Sequence, residues 1–337
     1  MKVTIYPHIA KAVLYKDSPH PNPYIDDFVT ALSHSEVVTS INPPSKNPLL
    51  RILPFNEWGD ITFFNWFENI PNYKYGLLQA CAAIVYVGAL RLCGRKVVNV
   101  LHNKQVHSSR YPKLSKWLMG YVIRLSNIII THSNEGIDYL REKYPRSVSK
   151  AHYLNHPTKN RLLKTGSSKI YDFLIWGNIQ RYKGVLDFLS YIHSQEEFNP
   201  SVVIVGKCSD PLLKEEIIRL CNDKITFQPE SITFEDLSHL INETRFVLIP
   251  YNPESVLSSG ILMDSLSYGA KVIGPDVGSF KDYSTNKALC VYTFKEFSDL
   301  PHIYQEHLAE KVNMQDFEQF LDENSWDNFV EKIMNFF

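Results

Sequence analysis

Three short segments of the chain carry side chains whose types and spacing suit chemistry on an anionic molecule. The first, Phe246 to Gly278, reads FVLIPYNPESVLSSGILMDSLSYGAKVIGPDVG. An apolar run ends at Pro250-Tyr251, a polar loop follows, and Ser258-Ser259-Gly260 opens a helix predicted to run to about Tyr268, where Gly269 ends it. Serine at a helix start offers a hydroxyl, glycine lets the backbone come close, and the first-turn N–H groups point outward at the positive end of the helix dipole. Such an end suits a phosphate or diphosphate. Asp264 follows Gly260 by four residues, about 6 Å along the axis, and is placed to accept hydrogen bonds from a ribose beside that diphosphate. A plain serine cap with a solvated aspartate would leave the same pattern.

The second segment, FLIWGNIQRYKG from Phe173 to Gly184, ends a strand at Gly177 and presents Arg181 and Lys183 on a turn before the next helix. Cations at a strand's carboxyl end, in the same half as a phosphate-binding helix, would neutralise a diphosphate and stabilise it as a leaving group. A solvated basic turn is the alternative. In the third segment an apolar strand from Val97 delivers His102 and Asn103, and Tyr6-Pro7-His8 holds the corresponding place after the first strand. A lone histidine is more often a satisfied structural group than a catalyst.

Positioning these groups requires strands that end at one edge. Candidate strands are Lys2 to Tyr6, Glu36 to Ile41, Asp60 to Trp66, Lys96 to Leu101, Asn127 to His132 and Lys150 to Leu154. Between them lie candidate helices at Tyr24 to Leu32, Tyr75 to Leu92, Lys113 to Leu125 and Asn134 to Lys143. The alternation predicts a parallel sheet with helices on both faces, because parallel strands need long crossovers. A polar stretch, HPTKNRLLKTGSSK, follows Leu154 and reads as a linker. The same alternation then restarts, with strands at Ile170 to Trp176, Ser201 to Val205, Lys224 to Phe227, Arg245 to Pro250, Lys271 to Gly274 and Leu289 to Tyr292. The expected fold class is α/β, with two doubly wound, Rossmann-like domains in tandem and ligands beyond the carboxyl ends of the strands, in the cleft between the domains.

Composition narrows the function classes. With 337 residues, 44% apolar and 21% charged, the chain belongs with ordinary globular proteins and has length for two domains. A net charge of -1 provides no global basic field for nucleic acid. Five scattered cysteines without a C-x-x-C pair read as reduced thiols and give no structural zinc. The amino terminus lacks the apolar core of a secretion signal, so the expected location is cytoplasmic. Leu77 to Leu92 is too short to span a bilayer and reads as a helix buried in the core. No phosphate loop of the G-x-x-x-x-G-K-[ST] type, no G-x-G-x-x-G after a strand and no G-x-S-x-G occur. The absence of any Asp-x-Asp pair removes the usual carboxylate cradle for a divalent metal on a nucleotide diphosphate, so a metal-independent enzyme is expected.

Together the segments resemble the GT-B glycosyltransferases, particularly the family-4-type enzymes of bacterial surface-polysaccharide pathways. The G-x-[IL]-x-x-x-K-G turn of that family is matched by Gly177 to Gly184. Its strand ending in P-Y, followed by S-G, an acidic residue, a glycine and V-I, is matched by Pro250-Tyr251, Ser259-Gly260, Asp264, Gly269 and Val272-Ile273, and its first-domain histidine by His102. The closing Ser325-Trp326 and FVEKIMNFF resemble the last helix of that fold.

The resemblance implies an N-terminal acceptor-binding domain over 1–165, a nucleotide-sugar-binding domain over 166–320, and a final helix over 321–337 packing back toward the first domain. It implies a hexose donor held as a nucleotide-diphosphate sugar, a glycan or lipid-linked oligosaccharide acceptor, and a retained anomeric configuration. Lys183, with Arg181, would offset the diphosphate; Ser258, Ser259 and the amides of Gly260 and Ile261 would hold it; Asp264 would take the ribose and His102 would contact the transferred sugar. Two positions depart from the pattern. Val256 stands where the family has the first of two glutamates, with Glu254 two residues earlier as the remaining carboxylate, and Asn178 stands where it has an arginine. A nucleotide-sugar epimerase and a catalytically silent partner subunit are the competing readings on the same architecture. Lys113 to Arg124, KLSKWLMGYVIR, mixes cations with apolar residues in the manner of a helix at an anionic bilayer, so peripheral contact with the inner face of the cell membrane is a further expectation; a helix packed on the first domain would look alike.

Overall fold

The computed structural model describes residues 1–17, 22–104, 110–162, 168–254 and 256–337. These divide into two compact units, Met1–Asn155 with Trp326–Phe337, and His156–Ser325. The boundary expected at 165/166 lies outside the described residues.

The first unit runs β1 (Lys2–Tyr6), α1 (Lys11–Asp17), α2 (Tyr24–His34), β2 (Ser40–Ile41), α3 (Pro48–Ile52), β3 (Ile61–Asn65), α4 (Gly76–Leu92), β4 (Lys96–Leu101), α5 (Pro112–Leu125), β5 (Ile128–Thr131), α6 (Asn134–Lys143) and β6 (Ala151–Tyr153). The second runs β7 (Tyr171–Trp176), α7 (Val185–His193), β8 (Val202–Val205), α8 (Pro211–Arg219), β9 (Ile225–Gln228), α9 (Phe234–Asn242), β10 (Thr244–Leu248), α10 (Gly260–Ser267), β11 (Val272–Pro275), α11 (Gly278–Ser284), β12 (Val291–Phe294), α12 (Leu300–His307) and α13 (Met314–Glu323). The last helix, α14 (Trp326–Met334), belongs to the first unit.

Each unit holds one six-stranded sheet, ordered β2-β1-β3-β4-β5-β6 and β12-β11-β10-β7-β8-β9. Every pairing is parallel, with Phe63 opposite Val98 in the first sheet and Phe173 opposite both Phe246 and Val202 in the second. Because helices cover both faces, the inner strands are apolar on both sides, which is why they read as continuous runs. In the first unit Val3, Ile5, Phe63 and Val98 pack with α2 and α14, while Tyr6, Phe64 and Val97 pack with α4 and α5.

Three expectations change. Only Ser40–Ile41 of the run from Glu36 pairs with β1, because the preceding residues turn, Val38 N–H donating to the Ser35 carbonyl. Helices α1, α3, α11, α12 and α13 lie outside the sequence expectation. The third concerns α4, of which only one face is buried, through Ala80, Ala83, Tyr86, Val87 and Leu90.

Glu68, in the 3₁₀ turn after β3, is buried and has no ion-pair partner among the described residues. Burial pushes its carboxyl up to about 7. A folded-state value above the unfolded one means that the folded chain holds the proton more tightly, so stability is lost as pH rises through that window. Glu68→Gln is therefore expected to raise Tm at pH 8 and leave it nearly unchanged at pH 5; equal shifts at both would show the carboxyl is not the cause.

Candidate functional site

In the second sheet the strand order reverses between β7 and β10. Ligands of open α/β sheets sit outside the carboxyl ends of strands at such a reversal, so the loops after β7 and β10 form the candidate site. The loop after β7 begins at Gly177, whose φ of +99° an L side chain rarely adopts. A Cβ there would lie 2.6 Å from Ile261 Cδ1 and 4.0 Å from Lys183 Nζ. The Gly177 backbone, the first turn of α10 and the Lys183 ammonium thus meet at one point. Gly184, at φ +67°, ends the same loop with room for a Cβ only 2.0 Å from the Pro250 carbonyl oxygen, and Asn252 N–H donates to the Tyr182 carbonyl at 3.3 Å. The two loops are closed onto each other at backbone distance.

Lys183 is half-buried, its Nζ 5.2 Å from the centre of the Tyr251 ring. Burial lowers the ammonium's pKa, because the charged form loses hydration, an effect that Tyr182 offsets in part. Burial likewise pushes the Tyr251 phenol up, partly offset by its hydrogen bond with Ser259. Ser259 is buried and caps α10, its Oγ accepting from Leu262 N–H at 3.2 Å. Ser258 is half-buried, and a Cβ on Gly260 would meet nothing within 4 Å. The helix therefore opens onto free space at its amino end, where the first-turn amides of Gly260 and Ile261 have no intrahelical acceptor.

One turn along α10, Asp264 is half-buried and paired with Arg161, Nη1 to Oδ1 at 3.3 Å. Arg161 is itself fixed, its N–H donating to the Ser267 carbonyl at 2.9 Å and its guanidinium lying 4.5 Å from the Phe234 ring centre. Nothing in the polar stretch read as a linker marked this arginine except its neighbour Leu162, which packs within 3.1 Å of where a Cβ on Gly269 would lie.

Arg181 is placed differently from Lys183. Its exposed guanidinium donates to Asp210 at 3.0 Å and to Glu216 at 2.8 Å, so two carboxylates already engage its charge. Glu254 is exposed in a turn, its N–H donating to Asn252 Oδ1 at 3.1 Å. Val256 is buried in the apolar core with Leu262 and Met263. The structure brings together Gly177, Lys183, Ser259 and Ile261, with Ser258 and Gly260 beside them, and does not bring Glu254 into contact with them.

In the first sheet the order reverses between β1 and β3. Asn65 ends β3 and His102 follows β4; the His102 Nε2–H donates to Asn65 Oδ1 at 3.0 Å, while Asn65 Nδ2 donates to the Tyr6 carbonyl at 3.4 Å. Trp66 stacks on the His102 ring at 4.4 Å and 17°, and the Tyr24 ring meets it edge-on at 5.0 Å. Trp66 holds a left-handed φ of +49°, strain that a bulky residue keeps only when its surroundings fix it. His132, after β5, donates from Nδ1 to the Leu154 carbonyl at 2.9 Å, which leaves Nε2 to accept from the Tyr24 hydroxyl at 3.2 Å. His8 donates to the Asn42 carbonyl at 2.7 Å, and burial lowers its pKa. His102 is thus locked in orientation by Asn65 and Trp66, neither of which sequence reasoning singled out.

No family model matches the chain, and no curated protein matches it in sequence. Among solved structures it is similar to Anabaena HepE, determined in complex with UDP and glucose, with a TM-score of 0.67 and 12% identity over 100% of both chains. It is similar to a glycosyltransferase from Rickettsia africae, with a TM-score of 0.59 and 12% identity over 99% of this chain and 97% of that one. The catalytic domain of starch synthase IV from Arabidopsis thaliana, bound to ADP and acarbose, gives a TM-score of 0.57 and 15% identity over 92% and 76%. These similarities show the fold: the chain has the GT-B architecture of two Rossmann-like domains.

Proposed function

We propose that the protein is a glycosyltransferase that moves a hexose from a nucleotide-diphosphate sugar to a glycan or lipid-linked acceptor in cell-surface polysaccharide synthesis, without a divalent metal and with retention of configuration. The observation that carries this reading is the meeting of the Lys183 ammonium, the Gly177 backbone and the open amino end of α10 at the strand-order reversal of the second sheet. When the bond from sugar to diphosphate breaks, negative charge builds on the leaving phosphate. A cation and helix-end N–H groups fixed beforehand stabilise that charge. Ser258 adds a hydroxyl, Asp264 accepts from the ribose, and Arg181, held by Asp210 and Glu216, shapes the turn more than it neutralises the donor. His102 acts on the transferred sugar, and Glu254 is the carboxylate available to steady positive charge on its ring. The solved neighbours named with UDP, glucose or ADP support a nucleotide-linked donor.

The test is incubation with a panel of nucleotide sugars in EDTA, with and without glycan acceptors, following release of nucleoside diphosphate and reading the product's anomeric configuration by NMR. Acceptor-dependent release supports transfer. Epimer formation without acceptor, or no donor binding at all, would replace the reading by an epimerase or a silent subunit. Within an active enzyme, Asp264→Asn is expected chiefly to raise the donor KM and His102→Ala chiefly to lower kcat. Wild-type kinetics in both variants would remove these two residues from the site.

A further inference from the structure

From Asn69 to Asn134 the sequence contains nine lysines and arginines and not one aspartate or glutamate, in a chain whose net charge is -1. Two helices of this stretch, α4 and α5, lie side by side on one face of the first sheet, the Tyr121 hydroxyl of α5 donating to the Ile84 carbonyl of α4 at 2.7 Å. Their inward sides fill the core. The outward side of α4 does not become polar, as that of a helix on a water-facing surface normally does. Leu78, Val85 and Leu92 are 72%, 70% and 91% exposed, and at 3.6 residues per turn they fall within about 60° of one another. Between Gly76 and Leu90 the helix carries no charge at all. Next to this stripe Trp117 of α5 is half exposed and stacked on Tyr121 at 5.2 Å and 14°. Exposed Lys74, Lys113 and Lys116 flank it.

We propose that this face of the first unit docks on an anionic lipid bilayer, with Leu78, Val85 and Trp117 entering the interface and Lys74, Lys113 and Lys116 meeting the headgroups. A bare apolar stripe with cations at its margin, in a run of sequence that holds no carboxylate, is complementary to such a surface. A symmetric pairing with a second copy would set these cations against themselves, because the two-fold axis brings the same patch to both sides. The amphipathic character expected of Lys113 to Arg124 is thereby relocated. Leu118 and Val122 of α5 face the core, and α4 supplies most of the apolar surface.

The full chain is mixed with vesicles of phosphatidylcholine containing phosphatidylglycerol, and with vesicles of phosphatidylcholine alone, and sedimented. Binding is expected to be at least about ten-fold stronger to the anionic vesicles and to fall as salt rises. Val85→Asp, and separately Lys113→Glu with Lys116→Glu, are each expected to lower it about ten-fold or more while leaving Tm unchanged, since these side chains are solvent-facing. Absence of binding at low salt, equal binding to both vesicle types, or wild-type binding by both variants would overturn the proposal. So would a dimer in sedimentation equilibrium that Val85→Asp dissociates. The readout involves no turnover, so it stands apart from the fate of the transferase reading.

Discussion

A Lys183→Met variant is expected to lose about 10- to 150-fold in affinity for the nucleotide donor, the equivalent of the roughly 1.5–3 kcal/mol carried by a hydrogen bond to a charged group. It is also expected to melt no lower than the wild type. The two effects share one cause. Lys183 is withdrawn from water beside Tyr251 with no carboxylate paired with it among the described residues, so its pKa is lowered and its charged form costs the folded state free energy. For a base with a depressed folded-state pKa the unfolded chain binds the proton more tightly, so stability rises with pH through the window between the two values. Methionine keeps the stem and removes the charge. Calorimetric titration with a nucleoside diphosphate and a thermal scan read both quantities. Arg181→Ala serves as the control, with an expected change in affinity of less than about three-fold, because Asp210 and Glu216 already occupy that guanidinium. Wild-type affinity in the methionine variant would remove Lys183 from the site.

The second large effect is expected of Gly184→Ala. At φ +67° an alanine is strained, and its Cβ would stand 2.0 Å from the Pro250 carbonyl oxygen, a backbone atom that cannot step aside by changing rotamer. Relief requires the loop after β10 to move, and that loop carries Tyr251 and leads into Ser259 and the start of α10. A loss of about 3 kcal/mol is expected, which for a domain of this size lowers Tm by roughly 6–12 °C. Donor affinity should fall as well at temperatures where the variant is folded, because Lys183 and the helix end no longer coincide. Gly260→Ala, where a Cβ meets only open space, should melt within about 2 °C of the wild type. Equal melting of the two variants would show that the loops are not coupled through Gly184.

Much of this was legible because buried parallel strands announce themselves. Ile128 to Ile130 and Val202 to Val205 are apolar on both faces, Val97 to Leu101 is apolar but for Asn99, and the serine-glycine start of α10 is a local signal that a helix must begin there. What escaped the sequence depends on partners distant along the chain. The basic turn at Arg181 and Lys183 looked like two equivalent cations, yet Asp210 and Glu216 claim one and a tyrosine ring shelters the other. Arg161 sat in a stretch without periodicity and is fixed by α10. The uncharged run of α4 read as a core helix because periodicity cannot tell a buried face from a bare one. Helix α13 hides its Phe317, Phe320 and Leu321 among acidic neighbours.

The return of α14 to the first unit has a consequence for the order of synthesis. Trp326, Phe329, Val330 and Ile333 form part of the wall against which Tyr24, Phe28, Val3 and Val98 pack, and each such side chain contributes about 1.5–3 kcal/mol on burial. These residues leave the ribosome only after the whole of the second unit. The second unit, continuous from His156 to Ser325, has its whole sequence available before they emerge. The first unit, translated before the second, must wait with one face of its sheet covered by α2 but not by α14, and nascent chains with apolar surface exposed in this way aggregate or engage chaperones. The two halves therefore reach completion in the reverse of the order in which they are translated.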